Sequence, residues 1–117
     1  MGFNLMVDLL PVDDIDETLM DNRFRLNEIE FIWDAQKAAS NFKKHVGITF
    51  ELACEAFFDP FLQVVDGGIV EGEVREAILG MTEGWRLLQV VYIMRDDEIR
   101  IISARLTTKA ERRIYEN

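Results

Sequence analysis

The sequence predicts an α+β fold built on an antiparallel β-sheet meander, and three observations carry that prediction. Three β-rich runs in the second half, "EVREAILG", "WRLLQVVYIM" and "EIRIISARL", are separated only by the turn-like "MTEG" and "RDD". Two short helix-like stretches lie back to back between Asp34 and Pro60. The chain closes on "TTKAERRIYEN", where Thr108 and Glu111 have the spacing of a capping box and start a terminal helix. At 117 residues the chain suits one domain able to bury a single core without staples.

Taken in order, residues 1–27 read as an acidic N-terminal extension, with Pro11, acids at Asp13, Asp14, Asp16 and Glu17, and only short apolar runs. It is either mobile or laid on the surface as an extra strand through Phe3, Leu5 and Val7. Residues 28–117 form the domain proper. "EIEFIWD" alternates, with Ile29, Phe31 and Trp33 on one face of a half-buried strand. Asp34 is a suitable N-cap for "AQKAASNFKKH", whose basic residues fall in the last turn, where the helix dipole favours them. Gly47 interrupts the chain, Thr49 caps "FELACEAFF", and that helix stops before Pro60 because Asp59 is pushed out of the helical region. "FLQVVDGGIVEG" reads as a short strand and a glycine loop. The middle run of the meander is apolar on both faces and is therefore central.

Charge is unevenly distributed. The whole chain holds 13 Lys+Arg against 22 Asp+Glu, a net charge of −9. Residues 1–34 carry −7, residues 35–99 carry −5, and residues 100–117 carry +3. Nonspecific nucleic-acid binding over the whole surface is excluded, because such affinity comes from cations neutralising phosphates. A local basic face is not excluded. One cysteine, Cys54, permits no internal disulfide, and "LACEAFF" around it is apolar, which fits a reduced, cytoplasmic setting. No apolar run approaches the roughly 18 residues of a membrane span, and the amino end lacks the basic start of a secretory signal.

The arginines raise a functional question. A two-residue turn at Asp96-Asp97 would set Ile93 opposite Arg100, Val90 opposite Ser103 and Leu88 opposite Arg105. A four-residue "MTEG" loop would set Leu79 opposite Arg86 and Arg75 opposite Val90. Strand alternation then projects Arg75, Arg86, Ser103 and Arg105 from one face with Tyr92 beside them, and sends Arg100 to the other. Guanidinium groups cannot relieve their repulsion by losing a proton, so such a cluster calls for an anion, or for carboxylates such as Glu76, Glu83, Glu98 or Glu111.

Arginines suit the dianionic transition state formed when a ribose 2′-OH attacks the neighbouring phosphate, and that reaction needs an acid and a base but no metal. His45, the only histidine, is the proton-transfer candidate by type, against the plainer role of a helix C-terminal residue. Glu111 and Tyr115 are further candidates, against packing and capping. A single His and a single Cys give no zinc-ligand spacing, and no phosphate-binding glycine fingerprint or nucleophile elbow is present. Glu71, Glu73 and Glu76 read as a solvated loop before a cation site.

Three stretches, "FIWDAQKAASNFKKH", "ITFELACEAFFDP" and the long run from "EVREAILG" to "RRIYE", together resemble the BrnT toxins of the BrnT/BrnA type II toxin–antitoxin systems. The most specific positions are Trp33, Asp34, Lys37, Ala38, Asn41, Lys44 and His45, then Arg100 to Arg105 with Glu111, Arg112 and Tyr115. The resemblance implies a RelE-like fold and a metal-independent, cofactor-free ribonuclease that arrests translation. The catalytic set it supports is His45, Arg75, Arg86, Arg105, Glu111 and Tyr115, with Lys44, Ser103 and Arg112 binding RNA phosphates. It also implies a BrnA-like antitoxin that represses the operon, in a toxin–antitoxin heterotetramer. Two departures stand out: Val46 is inserted in "KHVGITF", where the family runs from His directly to Gly, and the acidic front extension is unlike the family start. The segment from Asp13 to Glu17 is accordingly expected to compete with RNA for the basic face. The alternative reading is a non-catalytic module that keeps the antitoxin-binding surface and does not cut RNA.

Overall fold

The structure, a computed structural model, describes residues 20–117. The expected strand through Phe3, Leu5 and Val7 and the acidic segment from Asp13 to Glu17 lie outside the described residues. The elements run β1 (Asp21–Leu26), β2 (Ile29–Asp34), α1 (Ala35–Lys44), α2 (Phe50–Ala56), β3 (Gln63–Val70), β4 (Glu73–Met81), β5 (Leu87–Arg95), β6 (Glu98–Leu106) and α3 (Lys109–Glu116). The six strands form one sheet in the order β1-β2-β6-β5-β4-β3. Every neighbouring pair is antiparallel except β2 with β6, which is parallel: the two helices carry the chain from β2 to the far edge strand β3, and three hairpin reversals bring β6 back beside β2.

Two strands differ from the sequence reading. Residues 21–26, assigned to the extension, pair with β2 along their whole length, from Asp21 opposite Asp34 to Leu26 opposite Ile29. The hairpin turns through Asn27 and Glu28, both at positive φ (50° and 68°), which matches the twist of the flanking strands. With only Phe24 and Leu26 apolar, β1 shows too little alternation to be seen before β2 is there to pair with it. The glycines of "VVDGGIV" form no loop. They make a bulge inside edge strand β3, where the register shifts between Asp66 and Ile69, Gly68 has φ +84° and the Asp66 carboxylate accepts its N–H at 2.8 Å.

Side-chain caps define the helix starts. Asp34 accepts from the N–H groups of Gln36 and Lys37, Thr49 from that of Leu52, and Thr108 and Glu111 form a complete capping box. Helices α1 and α2 cover one face of the sheet. There Phe31 and Trp33 of β2 pack with Phe50, Ala53 and Cys54 of α2 and with Ile78, Leu88, Val90, Ile101 and Ala104 of the meander. Burial pushes the Cys54 thiol well above its ordinary range, which makes it a small apolar side chain. Helix α2 lies so close to β4 that a Cβ on Gly80 would stand 2.4 Å from the Ala56 carbonyl oxygen.

Asn41 joins α1 to β6. Its side-chain amide donates to the Ala104 carbonyl at 2.9 Å and accepts from the Ala104 N–H at 3.1 Å, and it also reaches the Ile48 carbonyl at 3.3 Å. Strand β2 pairs with β6 only at Glu98, Ile99 and Arg100, so beyond that point β6 has no strand on this side. The Asn41 amide takes the place of the missing neighbour. Replacing Asn41 with Leu leaves buried backbone groups unpaired, and urea unfolding is expected to show a loss of about 2–4 kcal/mol with an unchanged denaturant slope.

Candidate active site at one end of the sheet

The cationic residues reach their positions through registers that sequence alone misplaced. Asp96-Asp97 does form a two-residue turn, and Ile93 does face Arg100. A bulge then shifts β6 by one residue, so Gln89 faces Arg105 and Val91 faces Ser103. The β4–β5 connection is also longer than the expected "MTEG". It spans Thr82 to Arg86, closed by the Thr82 N–H to the Arg86 carbonyl at 2.9 Å and by the Thr82 hydroxyl accepting from the Arg86 N–H at 3.1 Å. Ile78 therefore faces Val90, a shift of three residues.

Both shifts are odd, and each turns its strand over relative to β5. Arg75, Ser103 and Arg105 consequently still share a face, the one turned away from Val90 and from helices α1 and α2. Arg100, expected on the opposite side from them, joins that face through the bulge, and there its guanidinium pairs with Asp21 at 2.8 Å. Tyr92 faces the helix side and packs on Phe57. Arg86 is exposed at the start of β5, with Nη1 3.9 Å from the position of a Cβ on Gly47, beside the α1–α2 loop.

Arg86 and the loop that follows His45 lie side by side at one end of the sheet. His45 is the half-buried C-cap of α1, its N–H bonded to the Asn41 carbonyl at 2.8 Å. The inserted Val46 is 86% exposed, so the extra residue is turned out to solvent while His45 stays at the helix end. Arg86 opens β5 next to this loop, and Arg105 ends β6 beside it, because the Thr107 N–H bonds the Leu87 carbonyl at 3.1 Å. Helix α3 follows at once. Arg105 donates to both carboxylate oxygens of Glu111, at 2.8 and 2.9 Å, and to the Leu106 carbonyl. This two-point pair holds the Glu111 carboxyl below its ordinary range and raises Arg105 further, so both stay ionised at neutral pH. Lys43, Lys44, Lys109, Arg112 and Arg113 are exposed around the same end.

Two expected residues stand apart. Arg75 lies four residues along β4 from Leu79, the position level with Arg105, or about 13 Å at the usual strand rise. Its Nη2 is 4.0 Å from Glu73, and its buried Nε has no partner among the described residues. Tyr115 donates its hydroxyl to the Asp59 carboxylate. Burial, reinforced by that bond, raises the phenol to about 12, so it remains a hydrogen-bond donor at neutral pH. Asp59 is the residue the sequence reading missed. Burial opposes its charge, but the Tyr115 hydroxyl and the Phe61 and Met81 N–H groups outweigh this and keep its carboxyl low. The Asp-Pro-Phe turn was the available signal, because an Asp side chain commonly bonds the backbone two residues on. Among the described residues, no group of three or more His, Cys, Asp or Glu is arranged to hold a metal ion.

Residues 33–111 match the family described as the ribonuclease toxin BrnT of type II toxin–antitoxin systems. The chain belongs to the BrnT family. The match starts at Trp33 and ends at Glu111, so it includes His45, Arg75, Arg86 and Arg105, while β1 and most of β2 precede it and Arg112 and Tyr115 follow it. A crystal structure of the Brucella abortus ribonuclease toxin, BrnT, is similar at 22% identity and a TM-score of 0.46, over 66% of this chain and 94% of that one. No curated protein matches. Membership in BrnT implies an RNA substrate and an antitoxin partner. No described helix is long and apolar enough to cross a membrane.

The Arg105–Glu111 pair makes a pH prediction for this BrnT chain. Glu111 titrates lower in the folded state than its ordinary value of 4.5, so its contribution is complete above that value and is lost as pH falls through the folded pKa. Glu111→Gln is expected to lower stability by about 1.5–3 kcal/mol at pH 7, with the gap to wild type closing below pH 4.5 in urea titrations.

Proposed function

We propose that this BrnT chain is a metal-independent endoribonuclease whose reacting centre lies where β5 begins and β6 ends. What supports this is Arg86 beside the loop that follows His45, with Arg105 two residues before the Thr107–Leu87 bond that ties β6 to the start of β5, in a chain whose net charge is −9. In this reading His45 takes the proton of a ribose 2′-OH, the 2′ oxygen attacks phosphorus, and the 5′ oxygen leaves with a proton, giving a 2′,3′-cyclic phosphate and a 5′-OH. Arg86 and Arg105 face the charge that develops on the non-bridging oxygens. Glu111 is a positioning residue, since its two oxygens are committed to Arg105 and to the α3 cap. Tyr115 gives its one O–H to Asp59 and is a positioning residue that ties α3 to the turn after α2, while the proton on the leaving 5′ oxygen comes back from the His45 imidazolium or from water. Lys44, Ser103 and Arg112 bind flanking phosphates, and Arg75 meets the RNA farther from the scissile bond.

The wider reading follows from the same family. The β3–β6 meander with α1 and α2 on one face supports a RelE-like arrangement. A cytoplasmic toxin that arrests translation, held by a BrnA-like antitoxin in a heterotetramer, accounts for a nuclease retained in a cell.

Cleavage of labelled RNA in EDTA tests the centre. Wild type is expected to cut, Arg86→Ala to lose about 100- to 1,000-fold in kcat, and His45→Ala to lose a similar factor. Intact RNA with folded wild type, ribosomes included, overturns the nuclease reading in favour of the non-catalytic module. Arg75→Ala is expected to weaken binding and lower the salt slope by about one while leaving the cleavage rate at saturation unchanged. An equal loss in kcat would place Arg75 at the reacting group.

A further inference from the structure

Next to the basic end lies a surface of opposite character. A groove of about 600 Å³ runs between the β1–β2 hairpin, the end of α2 and the β4–β5 loop. Its floor and walls are apolar: Phe24 and Leu26 from β1, Phe58 and Phe61 after α2, Met81 and Trp85. The charged residues lining it are Glu51, Glu55, Asp59 and Glu83, with no Lys, Arg or His among them. Asp59 is spent on Phe61, Met81 and Tyr115, and one Glu55 oxygen takes the Glu83 N–H at 3.1 Å. Glu51 and Glu83 stand exposed at the rim.

Two features mark the groove as more than incidental apolar surface. Trp85 is 83% exposed and Phe61 72%, so the largest apolar contact area here is held out into water. Trp85 also has φ +66°, a conformation that a bulky side chain adopts only at a cost and that glycine would occupy freely. Its backbone N–H bonds the Thr82 carbonyl at 3.0 Å, which fixes the stretch of loop from which the indole projects. Part of the wall, from β1, lies ahead of the residues that match the family.

We propose that this groove receives a short segment of a partner polypeptide, apolar on one face and flanked by Lys or Arg. The charge decides the class of occupant. Nucleic acid and anionic lipid would meet only carboxylates, whereas a cationic segment satisfies Glu51 and Glu83 while its apolar side chains cover Trp85 and Phe61. The proposal is independent of the nuclease reading, which uses the neighbouring basic end; the two share only Tyr115 and Asp59 at the groove wall, and neither is altered in the test.

Trp85 supplies the readout, since the other tryptophan, Trp33, is buried. The full chain is titrated with an 18-residue amphipathic peptide of Leu and Lys, and separately with its Leu and Glu counterpart, following tryptophan emission. The Lys peptide is expected to bind saturably with a blue shift, and at least tenfold more weakly to Phe61→Ser/Glu83→Lys. Glu71→Lys, at the β3–β4 turn on the opposite edge of the sheet from β1 and at the opposite end of β4 from Trp85, is expected to leave binding unchanged. All the substituted positions are exposed, and near-ultraviolet circular dichroism confirms that the variants fold. Absence of binding, equal binding of the Glu peptide, or an equal loss in Glu71→Lys overturns the proposal. A concentration-dependent dimer abolished by Phe61→Ser also overturns it and assigns the groove to a second copy of the chain.

Discussion

The Asn41 amide is the contact on which the arrangement of this molecule most depends. Strand β2 ends its pairing with β6 at Arg100, so the last residues of β6 would expose unpaired backbone toward the helices. A primary amide can donate and accept along one direction, as a neighbouring strand does, and Asn41 does both to Ala104 from within a helix. Aspartate would lose the donors, and an apolar side chain both functions. Because His45 is one helical turn farther on, the amide that completes the sheet also sets where the α1 C-terminus and its histidine sit relative to Arg105. Fold and candidate site thus share one anchor.

The charge pattern has a comparable logic. Most of the chain is acidic, yet Lys43, Lys44, Arg86, Arg105 and Lys109 fall where α1 and β6 finish and where β5 and α3 begin, whereas Arg95 and Arg100 lie toward the other end of the sheet and pair with Glu73 and Asp21. Arg105 has its own counterion in Glu111, which orders the guanidinium without removing all its donors. Arg86 has no carboxylate partner among the described residues. The adjoining groove holds the reverse combination, apolar and acidic, and the two surfaces meet within the β4–β5 loop, where Trp85 and Arg86 are consecutive. An anionic ligand and a cationic one would therefore be sorted by position along a single connection.

Local chemistry made much of the fold legible. Asp34, Thr49 and Thr108 are caps that act within three residues of themselves, and the Asp96-Asp97 turn closes on its immediate neighbours. Such signals need no tertiary partner. Strand β1 was hidden because its pairing with β2 supplies what its own pattern lacks, and the β3 glycines were misjudged because a bulge and a loop have the same composition. The apolar groove left no trace in periodicity, since its walls come from a hairpin, a helix end and a loop far apart in the chain.

The sequence by itself determined the element types, the meander, the segregation of charge and the residue kinds suited to phosphodiester chemistry. Only the tertiary structure decided which of those residues meet. A strand shows alternate residues to opposite faces, so one bulge in β6 and one longer loop after β4 were each enough to turn a whole row of side chains over. Both depend on contacts the linear order does not display: the Thr82 hydroxyl closing its loop, and the long-range register of β6. That is why Arg75, Ser103 and Arg105 kept a common face while Arg86 left it for the loop at Gly47.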